Sequence, residues 1–219
     1  AAFAWERLLE TLNNKKLQFK QTYYVYTKAN IGKYLPGNIM HYVERNLFVA
    51  NHGIGQLETL ASSVFEIIGT IIAAFIICIV LSWKDLFSFF SSVKKSYLMI
   101  IVISVIAAIA VLVILCKKSI RIRKILSLVK TRKFLIVFLG NICLYIILFL
   151  AHGATLILSV QAIRPIFSLH DILQLVSMNT LAWLVGFLIP GVPGGIGVRE
   201  LVLSTMASET EYANIILIA

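Results

Sequence analysis

Two arginines each lie nine positions after the first proline of a Pro-Gly break. Arg45 follows Leu35-Pro36-Gly37, and Arg199 follows Ile189-Pro190-Gly191-Val192-Pro193-Gly194-Gly195. A guanidinium presents a planar fork of donors that takes a phosphate bidentately, so an arginine beside an interrupted helix has the chemistry of an anion ligand. Carboxylates accompany both: Glu44 precedes Arg45, and Glu200 follows Arg199. His41, Glu44 and Arg45 fall within one helical turn, which assigns the phosphate to Arg45 and an attached polar group to Glu44. The competing reading is a solvated pair at a membrane surface. Around the second break, Gly191, Gly194, Gly195 and Gly197 carry no side chain, so backbone amides can approach a ligand closely. With Arg199 opening the next segment, free amides and a cation at a helix start make an anion site, although a tight turn between half-helices needs some of the same glycines.

Glu66 stands one to two turns inside a long apolar run. A carboxylate at that depth must be protonated, paired or open to a water-filled cavity, and its default role is functional. Neutralising an arginine, or joining helices through hydrogen bonds, is the structural alternative. Thr59, Ser63, Glu66 and Thr70 are spaced by four, three and four, which places them on one helix face directed into a bundle. A second polar stripe, Asn141, Tyr145, His152, Thr155 and Ser159, continues a polar path across the membrane or serves as packing glue. No catalytic set is present: the chain has no P-loop, HExxH or GxSxG pattern, and a carboxylate pair of Glu66 and Glu200 has nothing further behind it. Cys78, Cys116 and Cys143 lie in or beside apolar runs without metal-ligand spacing and read as small hydrophobes. No metal, cofactor or disulfide framework is expected.

The elements that position these residues are membrane elements. Only 14% of the chain is charged and its mean hydropathy is +0.91, far from the roughly 25% charged content of soluble domains. At 219 residues the expectation is a single transmembrane domain over 1–219 with no soluble catalytic domain. The start, Ala1 to Arg7, and the end, inside an apolar run, leave room for flanking spans. Segments 60–83, 97–116 and 134 to about 160 are long and apolar enough to cross a bilayer. Segment 172–189 also suffices but ends at the second break. Segment 201–219 carries Glu209 and Glu211, so these last two either span or form one re-entrant hairpin. Residues 22–49 hold Tyr23, Tyr24, Tyr26, Tyr34 and Tyr42 and are too polar for an ordinary span. They predict two short helices joined at Pro36-Gly37 that lie in the interface or dip into the membrane.

Loop charge orients the whole. Segment 117–133 holds eight Lys or Arg residues and no acid, so it is cytoplasmic by the positive-inside rule. The first broken hairpin then enters from the cytoplasm, and three intervening spans make the second enter from the opposite side. The expected fold class is therefore all-α: a polytopic helical membrane protein with two broken or re-entrant hairpins in inverted-topology arrangement. The net charge of +10 suits anionic headgroups or simply fixes topology. Nucleic acid is a poor partner, because no folded recognition unit accompanies the basic run.

Taken together, Asn30-Ile-Gly-Lys-Tyr-Leu-Pro-Gly-Asn-Ile, Glu44-Arg45, Glu66 and Val192-Pro-Gly-Gly-Ile-Gly-Val-Arg-Glu200 resemble the transmembrane region of the lysylphosphatidylglycerol synthase and flippase-like membrane protein family. The resemblance runs from about Ala4 to about Ser204. It implies a helical cell-membrane domain that moves a phospholipid, typically aminoacylated phosphatidylglycerol, or a polyprenyl-linked lipid between leaflets. The residues expected to bind substrate are Tyr34, Glu44, Arg45, Glu66, Gly194, Gly195, Gly197, Arg199 and Glu200. The family's aminoacyl transferase domain has no counterpart in these residues, which makes an enzyme the less favoured reading and a separate transferase a natural partner. The rivals are a non-transporting accessory protein for lipid or envelope synthesis, and a membrane-embedded transferase using Glu66 or Glu200.

Overall fold

The computed structural model describes residues 1–15, 18–35, 40–50, 54–92, 120–163, 165, 168–189 and 192–207. Pro36-Gly37, Pro190-Gly191, the expected span 97–116, and Glu209 with Glu211 lie outside them. Among the described residues the chain is all-helical, without strands. In order come α1 (Ala2–Asn13), α2 (Phe19–Asn30), a 3-10 turn (Ile31–Tyr34), α3 (Met40–Ala50) and α4 (Gln56–Ser92). There follow α5 (Ile120–Val129), α6 (Arg132–Ile163), α7 (Leu169–Leu188), a second 3-10 turn (Pro193–Gly195) and α8 (Val198–Ala207).

Three helical stretches, Gln56–Lys84, Arg132–Ile163 and Leu169–Leu188, are long and apolar enough to cross a membrane. They extend the expected spans 60–83, 134–160 and 172–189 by a turn or less at most ends, because polar end residues complete a helix at the edge of an apolar run. Ser82, near the end of the first, leaves helical geometry at φ −159° and ψ 78°, which kinks α4 there. The helices turn apolar side chains outward: Val80 is 73% exposed and Leu158 66%, where lipid would cover them. Inward, Ala73, Ala74 and Ile77 of α4 pack against Ile142, Tyr145 and Phe149 of α6 and Val176 and Leu184 of α7.

One element has no forerunner in the hydropathy pattern. In α1, Ala4, Trp5, Leu8, Leu9 and Leu12 recur at helical spacing and are all buried. The helix sits against both α4 and α6, and the Asn141 amide of α6 donates to the Ala4 carbonyl at 2.7 Å. At 12 residues it is too short to span, and it ends where Asn14 takes the left-handed conformation, φ 53°. The expectation of two short helices within 22–49 matches α2 and α3, which pack on each other.

Candidate functional site

The inner end of α3 carries the first part of the site. His41, Arg45 and Val49 recur every fourth residue and form the buried stripe of that helix. Arg45, 1% exposed, is held from several sides. Its Nη1 donates to Glu66 Oε2 of α4 at 2.6 Å, and its Nη2 donates to Asn30 Oδ1 at 3.1 Å. The Tyr26 hydroxyl of α2 donates to the other Glu66 oxygen, Oε1, at 2.7 Å. The guanidinium carbon stands 3.8 Å from the Tyr26 ring centroid and 5.3 Å from that of Tyr42, a cation–π setting that tolerates a buried charge. Burial opposes charge on Arg45, yet Glu66 and the two tyrosines outweigh it and raise the guanidinium above its ordinary value. His41 is equally buried, its ring tilted by 41° against that of Tyr42 with centroids 3.9 Å apart. Burial, then the charges of Arg45 and Lys33, push its imidazole down to about 3, so it is neutral at physiological pH.

The second part comes from the other end of the chain. Gly194 and Gly195 both take positive φ, 61° and 76°, which lets the Pro193–Gly195 turn double back against α7. The fit around Arg199 is tight. A Cβ on Gly186 would lie 2.7 Å from Arg199 Cγ, and one on Gly195 would lie 3.0 Å from Arg199 Nε and 2.8 Å from the Gly186 carbonyl oxygen. Arg199 thus threads a slot that only glycines leave open, and its guanidinium carbon rests 5.4 Å from the Trp183 ring centroid. The two 3-10 turns touch: Tyr34 Cε1 lies 3.3 Å from where a Gly194 Cβ would stand. The break-associated segments therefore meet, although far apart in sequence.

Between them lies a cavity of about 360 Å³. Lys33, Tyr34, His41, Arg45, Glu66, Tyr145, Gly194 and Arg199 all line it, with Leu148, Phe149, Trp183 and Phe187 as an apolar wall. A second cavity, of about 430 Å³, shares His152, Trp183 and Arg199 with the first and adds the polar residues Thr155, Ser159, Asn179 and Glu200 beside Leu156, Ala182 and Leu203. The two polar stripes now have a place. Thr59, Ser63, Glu66 and Thr70 are all buried, and Tyr145, His152, Thr155 and Ser159 run past both cavities.

Of the residues expected from sequence, Tyr34, Arg45, Glu66, Gly194 and Arg199 share the first cavity. Gly195 supports it through the slot beside Arg199. Glu44 is half-buried beside Gly32, off the cavity lining, and the carboxylate partner of Arg45 is Glu66. Glu200 lies on the second cavity and accepts from the Gly197 amide at 2.6 Å, capping α8. Gly197 has φ 86° and a side chain there would meet nothing within 4 Å, so its role is the turn into that cap. Sequence reasoning passed over Lys33, Tyr26 and Trp183. Tyr26 and Lys33 are visible only as part of a polar segment, and Trp183 only as one more apolar residue of a span.

The class defined by this architecture is a protein whose described residues are all-helical, with three helices among them fit to cross a membrane and a charged, aromatic-lined cavity between these and the shorter helices. No family model, curated protein or solved structure matches the chain.

Proposed function

We propose that the chain is a multi-pass cell-membrane protein that binds the phosphate-bearing headgroup of a lipid in the first cavity and carries it between leaflets. The observation behind this reading is that both break-associated arginines line one cavity enclosed by helices with lipid-compatible outer faces. Soluble anions need no such surroundings. A lipid does, because its headgroup requires a polar site at depth while its chains stay in hydrocarbon. In this reading the hairpins α2–α3 and α7–α8 are re-entrant and inverted with respect to each other, and segment 117–133 faces the cytoplasm. Arg199 takes the phosphate, the Arg45–Glu66 pair braces the cavity, and Trp183 and Phe187 line the exit for an acyl or polyprenyl chain. The resemblance to the lysylphosphatidylglycerol synthase and flippase-like family points the same way, with aminoacylated phosphatidylglycerol or a polyprenyl-linked lipid as its typical cargo.

The test is headgroup-labelled lipid scrambling in proteoliposomes. Transport above empty vesicles, reduced at least about tenfold by Arg199→Ala and by Glu66→Gln, is the expected result, corresponding to a loss of about 1.4 kcal/mol or more of ligand stabilisation. If folded protein moves none of the anionic, aminoacylated and polyprenyl lipids, the transport reading fails and a non-transporting accessory role replaces it.

A further inference from the structure

The charges around the first cavity do not balance. Its lining side chains include three cations, Lys33, Arg45 and Arg199, and one acid, Glu66. Glu66 is committed: Arg45 takes one oxygen at 2.6 Å and Tyr26 the other at 2.7 Å. Among the described residues, neither Lys33 nor Arg199 forms an ion pair. Glu200, the acid next to Arg199 in sequence, is exposed and turned to the Gly197 amide. Among the described residues, two positive charges therefore face the cavity without a carboxylate paired to them. Further polar atoms there are buried and bond to nothing among the described residues: both ring nitrogens of His41, Arg45 Nε, Tyr145 Oη and Arg199 Nε. His41 is 1% exposed and Tyr145 3%, so these atoms are enclosed rather than left at a solvated rim.

We propose that this cavity is selective for a headgroup carrying two negative charges, a phosphomonoester or a diphosphate, over phosphodiester and aminoacylated headgroups. Resting on the lipid-binding reading, this narrows its substrate class. A dianion matches the two uncommitted cations, and its several oxygens can accept charge-assisted hydrogen bonds from both. A phosphodiester brings one charge and leaves one of the two half-buried cations uncompensated. An aminoacylated headgroup brings an ammonium, which meets Lys33 and Arg199 and finds the cavity's one acid already neutralised. Phosphatidic acid and polyprenyl phosphates or diphosphates have the required chemistry.

The experiment measures binding to the full chain in nanodiscs of zwitterionic lipid. The probes are short-chain phosphatidic acid, phosphatidylglycerol and lysyl-phosphatidylglycerol, with inorganic phosphate and diphosphate as soluble competitors. Phosphatidic acid should bind at least about tenfold tighter than either of the other lipids, because its second charge meets a second cation in a partly enclosed cavity, where screening is weaker than in water. Acidification provides an independent sign. A phosphomonoester loses its second charge near pH ~6, so affinity for phosphatidic acid should fall from about pH 8 to about pH 5 while that for phosphatidylglycerol does not. His41, pushed down to about 3, stays neutral across this range, and any added positive charge in the cavity would strengthen anion binding, so a fall reads the ligand. Lys33→Gln and Arg199→Gln should each shrink the preference; the comparison among lipids on the parent chain needs no variant to fold. Equal binding of phosphatidylglycerol, or tighter binding of the lysyl lipid, overturns the proposal. Displacement of phosphatidic acid by equimolar inorganic phosphate or diphosphate overturns the lipid as ligand source and leaves a free phosphate site. Intact selectivity without scrambling defeats transport alone, whereas scrambling without selectivity defeats only the dianion.

Discussion

Arg45 and Glu66 form a buried pair whose individual members are costly and whose joint removal need not be. Glu66→Gln keeps a group for the Tyr26 hydroxyl but leaves Arg45 uncompensated, so it should lower unfolding stability by about 3 kcal/mol in a detergent denaturation series. The double change Arg45→Met, Glu66→Leu should recover most of that loss while leaving lipid transport abolished; full recovery of transport would show the pair to be structural only. His41 gives a pH prediction. Its folded-state value is lowered from 6.5 to about 3, so the unfolded chain binds the proton first and stability falls as pH drops below 6.5. Between about pH 5 and 6.5, before carboxylates contribute, His41→Phe should flatten that slope. An unchanged slope in the variant would assign it to another group. At this scale the candidate residues themselves were legible, because a charge in an apolar run stands out. Their partners were not. Glu44 adjoins Arg45 in sequence, but the helix turns it some hundred degrees away, and the carboxylate that reaches Arg45 comes from the next helix.

Among the elements, α7 is the most enclosed of the three candidate spans, with half of its most apolar stretch buried. It packs on α4, α6 and α8. Its seat on α6 depends on Gly153, where an added Cβ would come within 2.8 Å of Val176 Cγ2. Gly153→Ala should therefore wedge the two helices and cost about 1–3 kcal/mol. Val176→Ala added to it should restore part of the loss, giving a coupling energy of at least about 0.5 kcal/mol in a double-mutant cycle. Additive losses would mean that the helices shift freely instead. The long helices were readable because period and length agree: only a helix satisfies a backbone through 20 or more apolar residues. The short α1 was not, since 12 residues with Glu6, Arg7 and Glu10 carry no span signal and its buried stripe has meaning only once α4 and α6 flank it.

For the molecule as a whole, the basic segment and the apolar outer surface set what a topology experiment should find. Single cysteines at Ser127 and at Ser168, in a chain whose native cysteines are replaced, should label from opposite sides of sealed vesicles, with Ser127 on the cytoplasmic side. Labelling of both from one side would remove the odd count of crossings between the breaks and with it the inverted arrangement. From the sequence alone came an all-helical chain, three of its membrane-length helices, the inward direction of the Glu66 stripe, and two arginines marked by interrupted helices. These follow from local rules: apolar length, helical period, and the inability of proline to continue a helix. Tertiary structure alone decided that the turns beside the two breaks meet at Tyr34 and Gly194, that Glu66 belongs to Arg45, and that Lys33 and Arg199 face one cavity without a paired carboxylate among the described residues. Such pairings join residues far apart along the chain, and which of them touch is set by helix packing in three dimensions, information that no local pattern carries.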